Sequence, residues 1–349
     1  MKIKKRITIF GHFGFGKNYL DGQTVKTKIV SDELKRFFGE NNIAEIDTHG
    51  KWSSLIKAPF KTFMAVKSSK NVIISPAHNG LKIYAPLLCF WRHFFNTKLH
   101  YVVIGGWLSQ YLDDKKSLEG KLKKFDGIYV ETRAMKAALE QKGFKNIYIM
   151  PNCKRLNVLR PEELVYNTEE PFNLCTFSRV TEKKGIGDAV EAVRQVNEEN
   201  GRTVYTLDIY GQVDDGQEEW FENLKKTFPE YVHYCGLVPF DKSVDVLKNY
   251  FALLFPTKFY TEGIPGTIID AYAAGVPVIS SRWENFGDII DDGVTGIGYD
   301  FDDKYGFINC LLKISNSADW WNGLKINCLK FYEEYSPETI IKSLVENIN

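Results

Sequence analysis

Short apolar runs of strand length alternate with segments of helical periodicity along the whole chain. This rhythm predicts repeated β-α-β units, and hence parallel sheets with helices on both sides. The predicted strands of the first half are residues 6–10, 43–47, 71–75, 100–104, 127–130 and 146–150, with a helix over 24–38. Those of the second half are 172–177, 203–210, 231–235, 251–255 and 276–280, with helices over 185–197, 218–228, 241–249 and 266–274.

A segment rich in proline, asparagine and charge, residues 151–171, interrupts the rhythm and predicts a linker. We expect residues 1–155 to form an N-terminal Rossmann-like domain and residues 156–335 a C-terminal one. Ser336 followed by Pro337 is typical of a helix start, so 336–349 is predicted to be a C-terminal helix that can pack back toward the N-terminal domain. The predicted fold class is α/β, with two doubly wound Rossmann-like domains facing across a cleft.

Composition and charge narrow the choice of partners. The 349 residues are 44% hydrophobic and 26% charged, as in an ordinary globular protein of two domains. The net charge of +1 hides an asymmetry: residues 1–150 carry 26 Lys and Arg against 12 Asp and Glu, or +14, and the remainder carries 19 against 32, or −13. The first half should attract an anionic lipid, a membrane surface or nucleic acid, unless the opposite charges serve only to hold the domains together.

The cysteines and the apolar runs indicate the compartment. Six scattered cysteines are predicted to be reduced, buried thiols of a cytosolic protein: Cys89, Cys153, Cys175, Cys235, Cys310 and Cys328. The basic and then apolar start ends at Gly11 and is interpreted as a strand rather than a signal peptide. The stretch Ile83 to Phe95 is too short to span a bilayer. It is either a membrane-facing patch or, as we favour, a packed helix.

A glycine-rich segment after the first predicted strand is one residue away from a phosphate-binding P-loop, with Gly11, Gly16 and Lys17 in step. Asn18 replaces the hydroxyl that would hold Mg²⁺, so an ATPase is disfavoured. We expect instead a loop lining the cleft, with Gly22 at the start of the first helix and backbone N–H groups that could meet an anion.

The most specific pattern runs from the predicted strand at 251–255 into a helix opened by Pro265 and Gly266. A loop carries Glu262 to the start of that helix, and Asp270 lies near its second turn. Backbone N–H groups and the positive end of the helix dipole would face a phosphate, while the two carboxylates stay available for hydroxyls. The predicted phosphate contacts are Gly263, Ile264, Pro265, Gly266 and Thr267.

This pattern resembles glycosyltransferase family 4, retaining enzymes of the two-domain GT-B fold. Glu262 and Asp270 have the family spacing, and the A-x-A-x-G-x-P-V segment follows with Ala271, Ala273, Gly275, Pro277 and Val278. Residues 178–185 look like the family's G-R-x-x-x-x-K-G, and 207–211, 232–236 and 288–296 also look like family segments. The family usually has glutamate where Asp270 stands. Many members carry a histidine after the fourth strand of the first domain, where this chain has Trp107, which leaves His78 as the nearest candidate.

Arg179 and Lys184 leave a predicted strand five residues apart and can both reach one diphosphate. Negative charge grows on that leaving group as the glycosidic bond breaks, so the two cations would stabilise the transition state without a metal ion. The resemblance implies that Glu262 holds sugar hydroxyls and Asp270 the ribose, with Gly211 and Leu237 beside the base. In the first domain, Gly16, Gly22 and His78 would line the cleft.

The sequence thus predicts a metal-independent, retaining hexosyl- or N-acetylhexosaminyltransferase of polysaccharide or glycolipid assembly. Its donor would be a nucleotide diphosphate sugar, and its acceptor a lipid-linked, glycan or protein group. We expect a cytoplasmic location with possible contact to the inner membrane face, and no cofactor and no nucleic acid partner. The alternatives are a sugar-nucleotide epimerase or hydrolase of the same fold, and a non-catalytic membrane- or polymer-binding module.

Overall fold

The computed structural model describes residues 5–16, 22–48 and 56–348. The chain divides into two compact units. The first unit comprises Met1–Arg155 together with Tyr335–Asn349, and the second unit comprises Leu156–Glu334. The boundary between Arg155 and Leu156 falls within the proline-rich segment at 151–171.

The first unit contains a parallel six-stranded sheet in the order β2-β1-β3-β4-β5-β6. The strands are β1 (Lys5–Gly11), β2 (Ile43–Asp47), β3 (Ser69–Ile74), β4 (Lys98–Val102), β5 (Gly127–Val130) and β6 (Ile147–Ile149). Its helices up to residue 155 are α1 (Gly22–Phe38), α2 (Ala58–Ser68), α3 (His78–Arg92), α4 (Leu108–Tyr111), α5 (Lys116–Leu122) and α6 (Arg133–Gln141). The run Val72, Ile73 and Ile74 is buried throughout, as expected for an inner strand covered on both faces.

The second unit also contains a parallel six-stranded sheet, in the order β12-β11-β10-β7-β8-β9. Its strands are β7 (Phe172–Phe177), β8 (Tyr205–Tyr210), β9 (Val232–Gly236), β10 (Ala252–Phe255), β11 (Val278–Ser281) and β12 (Gly296–Tyr299). Its helices are α7 (Ile186–Asn200), α8 (Glu218–Lys225), α9 (Ser243–Leu247), α10 (Gly266–Ala273), α11 (Lys304–Ser315), α12 (Ala318–Gly323) and α13 (Lys325–Tyr332). Numbered within this unit, the order is 3-2-1-4-5-6, that of dinucleotide-binding sheets.

The last residues of the chain pack into the first unit. Helices α14 (Pro337–Ile340) and α15 (Lys342–Ile348) contribute Ile340, Leu344 and Ile348 to the cluster that also holds Ile7 and Leu34. The hydroxyl of Ser336 accepts a hydrogen bond from the backbone N–H of Thr339 at 3.3 Å, which confirms the predicted cap. The single predicted helix is two short helices in the structure.

Two parallel sheets with flanking helices confirm the predicted α/β class with two Rossmann-like domains. The predicted strands at 43–47, 127–130 and 172–177 have the observed bounds, whereas β4 begins and ends two residues before the predicted 100–104. Helix α2 and strand β12 were not predicted from the sequence. The stretch predicted as a packed helix is the end of α3, with Leu88 buried but Phe90 and Phe94 exposed.

Candidate active site

Strand order marks a candidate ligand site in the second unit. In doubly wound sheets, ligands bind beyond the carboxyl ends of the strands where the strand order reverses. Here that point lies between the neighbouring strands β7 and β10. The segment after β7 carries Arg179 and Lys184, and the loop after β10 carries Glu262. The backbone N–H of Lys258 donates to the carbonyl of Lys183 at 2.9 Å and joins the two segments.

Two glycines allow close backbone approach at this edge of the sheet. Gly185 has a φ of +71°, and a Cβ on it would lie 1.9 Å from the carbonyl oxygen of Pro256. Gly211 has a φ of +137°, and a Cβ on it would lie 1.8 Å from the carbonyl oxygen of Ser178. Any larger residue would push the backbone segments apart. Gly211 was predicted as a contact of the sugar donor. The close approach of Ser178 requires glycine at this position whether or not a donor binds there.

Lys184 and Glu262 form an ion pair where the two segments meet. The Nζ of Lys184 donates to Oε2 of Glu262 at 2.5 Å, and the two side chains are 11% and 22% exposed. The same ammonium lies 5.3 Å from the ring centroids of both Phe255 and Phe259. A carboxylate and two aromatic faces thus hold the ammonium in place at the switch point.

Arg179 is held by a different carboxylate. Its Nη1 lies 2.9 Å from Oδ2 of Asp214, and its side chain is 69% exposed. The pair spans two neighbouring segments because Val180 and Val213 form a parallel bridge beside it. The structure therefore gives each of the two cations its own carboxylate partner. That both reach one diphosphate remains a prediction.

Helix α10 begins four residues after Glu262. Pro265 is its N-cap residue and Gly266 its first residue, as predicted. The first backbone N–H groups of a helix have no acceptor within it, and the helix dipole places positive charge at that end. The Thr267 hydroxyl is buried and has no hydrogen-bond partner among the residues that the structure describes. The start of α10 therefore offers donors for an anion beside the Lys184–Glu262 pair.

The two predicted hydroxyl-binding carboxylates already have protein donors. Glu262 accepts from Lys184, and Oδ1 of Asp270 accepts from the Ser243 hydroxyl at 3.0 Å. Asp270 is only 1% exposed because α9 covers this turn of α10. Each carboxylate therefore already accepts one bond from the protein, and a ligand hydroxyl would have to join or displace that donor. Hydroxyl binding by both stays a prediction.

Asn285 is a site residue that the sequence analysis missed. Its Nδ2 donates to the backbone carbonyl of Glu262 at 2.6 Å, and the side chain is 3% exposed. The backbone N–H of Glu284 donates to the carbonyl of Tyr260 at 3.0 Å. The segment after β11 thus supports the loop that carries Glu262. Asn285 follows the predicted strand at 276–280, and this position alone could have indicated a site residue. No sequence motif includes Asn285.

Leu237 follows the end of β9 and is 62% exposed. The backbone N–H of Gly211 donates to the carbonyl of Gly236 at 2.8 Å, which brings the ends of β8 and β9 together. Gly211 and Leu237 therefore lie at the same edge of the sheet as Arg179. Contact with a base stays a prediction.

His78 lies at the start of α3, after β3, in the first unit. Its ring stacks on that of Trp107 with centroids 3.9 Å apart and meets the Tyr111 ring edge-on at 4.6 Å. Burial, followed by the charges of Lys82 and Lys115, lowers the pKa of His78 from its ordinary 6.5. His78 thus contacts Trp107, which follows β4 where many members of the resembled family carry a histidine, and its imidazole is neutral at neutral pH.

The glycine-rich segment after β1 is bound by a carboxylate of the chain itself. The backbone N–H groups of Phe13 and Phe15 donate to the two carboxylate oxygens of Asp47 at 3.1 and 3.2 Å. The prediction was that backbone N–H groups of this loop could bind an external anion. These two groups bind Asp47 instead. Gly16 has a φ of +79° and is exposed, as is Gly22 at the start of α1. Lys17 and Asn18, on which the comparison with a P-loop rests, lie outside the described residues.

The prediction that all six cysteines are buried is wrong for two of them. All six cysteines are free, and four are buried, but Cys235 is exposed and Cys310 is half-buried. Cys235 lies on the edge strand β9, where no neighbouring strand covers it on one side.

Two features are absent from the described part of the chain. No helix there is long and apolar enough to cross a membrane. Nor do those residues include a group of three or more His, Cys, Asp and Glu side chains arranged to hold a metal ion.

The second unit is similar to known proteins of a broad class. Residues 171–317, less than half of the chain, match the family model described as glycosyl transferases group 1. This span contains every predicted site residue of the second unit, from Arg179 to Asp270.

Curated relatives match over a similar share of the chain. The amylovoran biosynthesis glycosyltransferase AmsK of Erwinia amylovora is 29% identical over 139 residues, 36% of this chain and 32% of that protein. The putative colanic acid biosynthesis glycosyltransferase WcaL of Escherichia coli is 26% identical over 135 residues, again 36% of this chain and 32% of that protein. The matched segment spans about a third of the length of these relatives.

Solved structures match over nearly the whole chain. Sucrose-phosphate synthase of Thermosynechococcus elongatus superposes with a TM-score of 0.75 at 14% identity, covering 98% of both chains. HepE of Anabaena in complex with UDP gives 0.74 at 12% identity, covering 98% of this chain and 99% of that one. The lipopolysaccharide outer core galactosyltransferase WaaB gives 0.69 at 18%, with coverage of 98% and 99%. At such identities the likeness shows the fold alone, and that fold is GT-B.

Proposed function

We propose that this chain is a retaining glycosyltransferase that moves a sugar from a nucleotide diphosphate donor to an acceptor in cell-surface polysaccharide or glycolipid assembly. The observation that carries the proposal is the Lys184–Glu262 pair beside the start of α10, at the switch point of the second sheet. The match of residues 171–317 to glycosyl transferases group 1 supports it. Relatives named for amylovoran and colanic acid biosynthesis support the polysaccharide context.

The proposed chemistry follows from the charges at this point. Breaking the bond between the anomeric carbon and the diphosphate leaves its electron pair on the phosphate oxygen, so negative charge grows there. The Lys184 ammonium and the first N–H groups of α10 would stabilise that charge more in the transition state than in the bound donor. Arg179 would join them after exchanging Asp214 for a phosphate oxygen, and the set would serve in place of a divalent ion.

The carboxylates would position the donor. Glu262 can accept a hydrogen bond from a sugar hydroxyl on the oxygen that Lys184 does not use. Asp270 would bind the ribose once the Ser243 hydroxyl shares or yields its bond. Gly211 and Leu237 would flank the base. The donor sugar is proposed to be a hexose or an N-acetylhexosamine, and retention at the anomeric carbon follows from the family resemblance.

The first unit would bind the acceptor, a lipid-linked, glycan or protein group. Its excess of cations suits an acceptor that carries phosphate, and the protein would act at the cytoplasmic face of a membrane. His78 is proposed to take a direct part, as a neutral imidazole that can donate and accept hydrogen bonds. Gly16 and Gly22 would leave room for the acceptor near the ends of β1 and β3.

A thermal-shift panel tests the donor site. UDP, GDP, ADP and their common sugars are added in the presence of EDTA, because a ligand that binds only the native state raises the melting temperature. One nucleotide series should stabilise the wild type, and Lys184→Ala should reduce the stabilisation by the free nucleoside diphosphate, which carries the full charge of the leaving group, more than that by the nucleotide sugar. Lys183→Ala is the matched control, since Lys183 is an exposed neighbour outside the ion pair.

Product analysis then identifies the reaction. Proton NMR of the isolated product should show the donor's anomeric configuration in the new linkage. A free epimer or a free sugar as sole product would instead identify an epimerase or a hydrolase. No stabilisation by any nucleotide in the panel would contradict the donor site and favour a non-catalytic binding module.

A further inference from the structure

A long part of the first unit carries positive charge only. Residues 48–112 include eight Lys and Arg and no Asp or Glu. Helices α2 and α3 lie within this range and pack against each other. The two helices therefore contribute cations and no carboxylate of their own, and of these cations Arg92, at the end of α3, is paired with Asp126. An excess of cations is the electrostatic character of proteins that bind anionic partners.

Helix α2 exposes a row of large apolar side chains. Phe60 is 69% exposed and Met64 43%, and Ile56, one turn before Phe60, is 78% exposed. The spacing of four residues places Phe60 and Met64 on one side of the helix, and Ile56 lies two residues before its start. The opposite side faces the core through Ala58, Thr62, Ala65 and Val66. The exposed row has no packing role within the unit.

The end of α3 and the residues after it continue this row. Phe90 is 53% and Phe94 65% exposed, and their rings lie 5.6 Å apart. Phe63 on α2 links the helices, since its ring lies 5.0 Å from that of Trp91, which in turn contacts Phe90 at 4.8 Å. One contiguous surface results, here called the apolar face. It consists of Ile56, Phe60, Met64, Phe90 and Phe94.

Cations border the apolar face. Lys57 and Lys67 lie on or next to α2 and are exposed, and the Lys67 ammonium lies 5.6 Å from the Phe63 ring centroid. Neither lysine forms an ion pair with any residue that the structure describes. Their stems can lie along the apolar surface while the ammonium groups reach a charged partner.

We propose that the apolar face binds the surface of an anionic lipid bilayer. Apolar side chains at the tip of two helices would enter the boundary between headgroups and acyl chains, and the bordering lysines would meet lipid phosphates. A second copy of this chain is a poorer occupant, because pairing two such faces would bring cations of the same sign together. The proposal extends the membrane-borne acceptor suggested above but does not depend on it, since binding to lipid needs neither donor nor acceptor.

Vesicle cosedimentation of the full chain tests the proposal. Vesicles of phosphatidylcholine alone are compared with vesicles in which part of it is replaced by phosphatidylglycerol. The wild type should bind the anionic vesicles, more weakly at high salt, and bind the neutral ones poorly. A double variant, Phe60→Ser with Phe94→Ser, should lose about tenfold or more in affinity, because each phenyl ring removed gives up apolar burial. Lys57→Gln with Lys67→Gln should weaken binding to the anionic vesicles only.

Phe37→Ser is the matched control, because Phe37 is 52% exposed on α1 of the same unit but lies outside the apolar face. It should bind vesicles like the wild type. Equal binding by wild type and the phenylalanine double variant, or no binding to anionic vesicles, would overturn the proposal. So would self-association that the double variant abolishes while vesicle binding is absent. Thermal shifts with nucleotides are measured on the same variants, so failure of the lipid proposal is distinguishable from failure of the donor site.

Discussion

Lys184 and Glu262 lie 78 residues apart in the chain, yet their side chains meet at 2.5 Å where two neighbouring parallel strands end. Each comes from a different segment, and the ammonium also lies against Phe255 and Phe259. The carboxyl ends of adjacent parallel strands share one edge, so the topology brings the pair together. In the free protein, Glu262 pairs with the ammonium group that binds a phosphate in the proposed function.

Lys184→Ala should lower kcat/KM by about 10²–10³, the cost of removing one preorganised group that stabilises developing charge. The loss should fall mainly on kcat, since the charge to be stabilised grows in the transition state. Steady-state kinetics on the nucleotide sugar found in the thermal-shift panel measures it. The kcat/KM of Lys183→Ala should stay close to that of the wild type. Equal losses of kcat/KM in both variants would show that Lys184 does not stabilise the leaving group more than its neighbour does.

Glu262→Gln should separate binding from turnover. The substitution removes the anion that pairs with Lys184, so a nucleoside diphosphate no longer competes with an internal carboxylate and should bind as tightly as in the wild type or more tightly. Turnover should fall, because the amide forms weaker hydrogen bonds to sugar hydroxyls than the carboxylate. Calorimetry with the diphosphate and kinetics with the sugar nucleotide are compared. Weaker binding of the diphosphate together with unchanged kcat would contradict the assignment.

Substitution by alanine should destabilise the protein far more at Gly185, before the start of α7, than at Gly201, after its end. Gly185→Ala and Gly201→Ala both place alanine at positive φ, which costs about 1 kcal/mol. Only at Gly185 would the added Cβ also meet a backbone oxygen, that of Pro256, whereas Gly201 faces open space. A loss of about 1 kcal/mol lowers the melting temperature of a unit of this size by about 2–4 °C. Differential scanning calorimetry should therefore show a fall of that size for Gly201→Ala and a larger one for Gly185→Ala.

Much of the sheet architecture was predictable because inner parallel strands leave a simple signal. Strands such as 127–130 and 172–177 are short apolar runs between turn residues, and their bounds agree with the structure. The helix start at Gly266 was also predictable. Pro265 has no backbone N–H, so it is tolerated at the start of a helix, where that group would have no acceptor within the helix.

Helix α2 and strand β12, which were not predicted, have sequences that are atypical of a helix and a strand. Helix α2 exposes Phe60 and Met64 on the side that an amphipathic helix normally fills with polar residues, so its periodicity is weak. Strand β12 contains Gly296 and Gly298, which disfavour strands, but both are needed for packing: a Cβ on Gly296 would lie 2.2 Å from the Val278 carbonyl oxygen.

Candidate site residues could be named from the sequence, but their bonds could not. The pairing of Arg179 with Asp214 and of Asp270 with Ser243 depends on which loops lie side by side, and that follows from the strand order. Asn285 was out of reach for the same reason, since it acts through the backbone of Glu262 rather than through a motif.

His78 should titrate below its ordinary range in the folded protein. Burial is the largest cause of its lowered pKa, followed by the charges of Lys82 and Lys115. Lys82→Ala should therefore raise the pKa of His78, and Lys115→Ala should raise it less. Lys67→Ala, an exposed lysine of the same unit that is not among these charges, should leave it unchanged. Proton–nitrogen NMR of the imidazole against pH measures all four proteins, and an unmoved titration in Lys82→Ala would contradict this electrostatic account.

Lys325 should make the free energy of unfolding of the second unit vary with pH in the alkaline range. Its ammonium donates to the Tyr250 carbonyl at 2.9 Å, and the side chain is 1% exposed. Burial lowers its pKa from 10.5 to about 8. Between these two values the unfolded chain binds a proton that the folded chain has lost, so the free energy of unfolding rises with pH.

The expected rise attributable to Lys325 is about 3 kcal/mol between pH 8 and 10.5, at 1.36 kcal/mol for each pKa unit. Lys325→Met should remove this rise, because methionine fills a similar volume and does not titrate. Lys330→Met changes an exposed lysine on the same helix, α13, and should keep the wild-type slope. Urea titrations across this pH range compare the three proteins. Parallel curves for wild type and Lys325→Met would show that Lys325 keeps an ordinary pKa in the fold, which would mean that the Tyr250 carbonyl compensates for its burial.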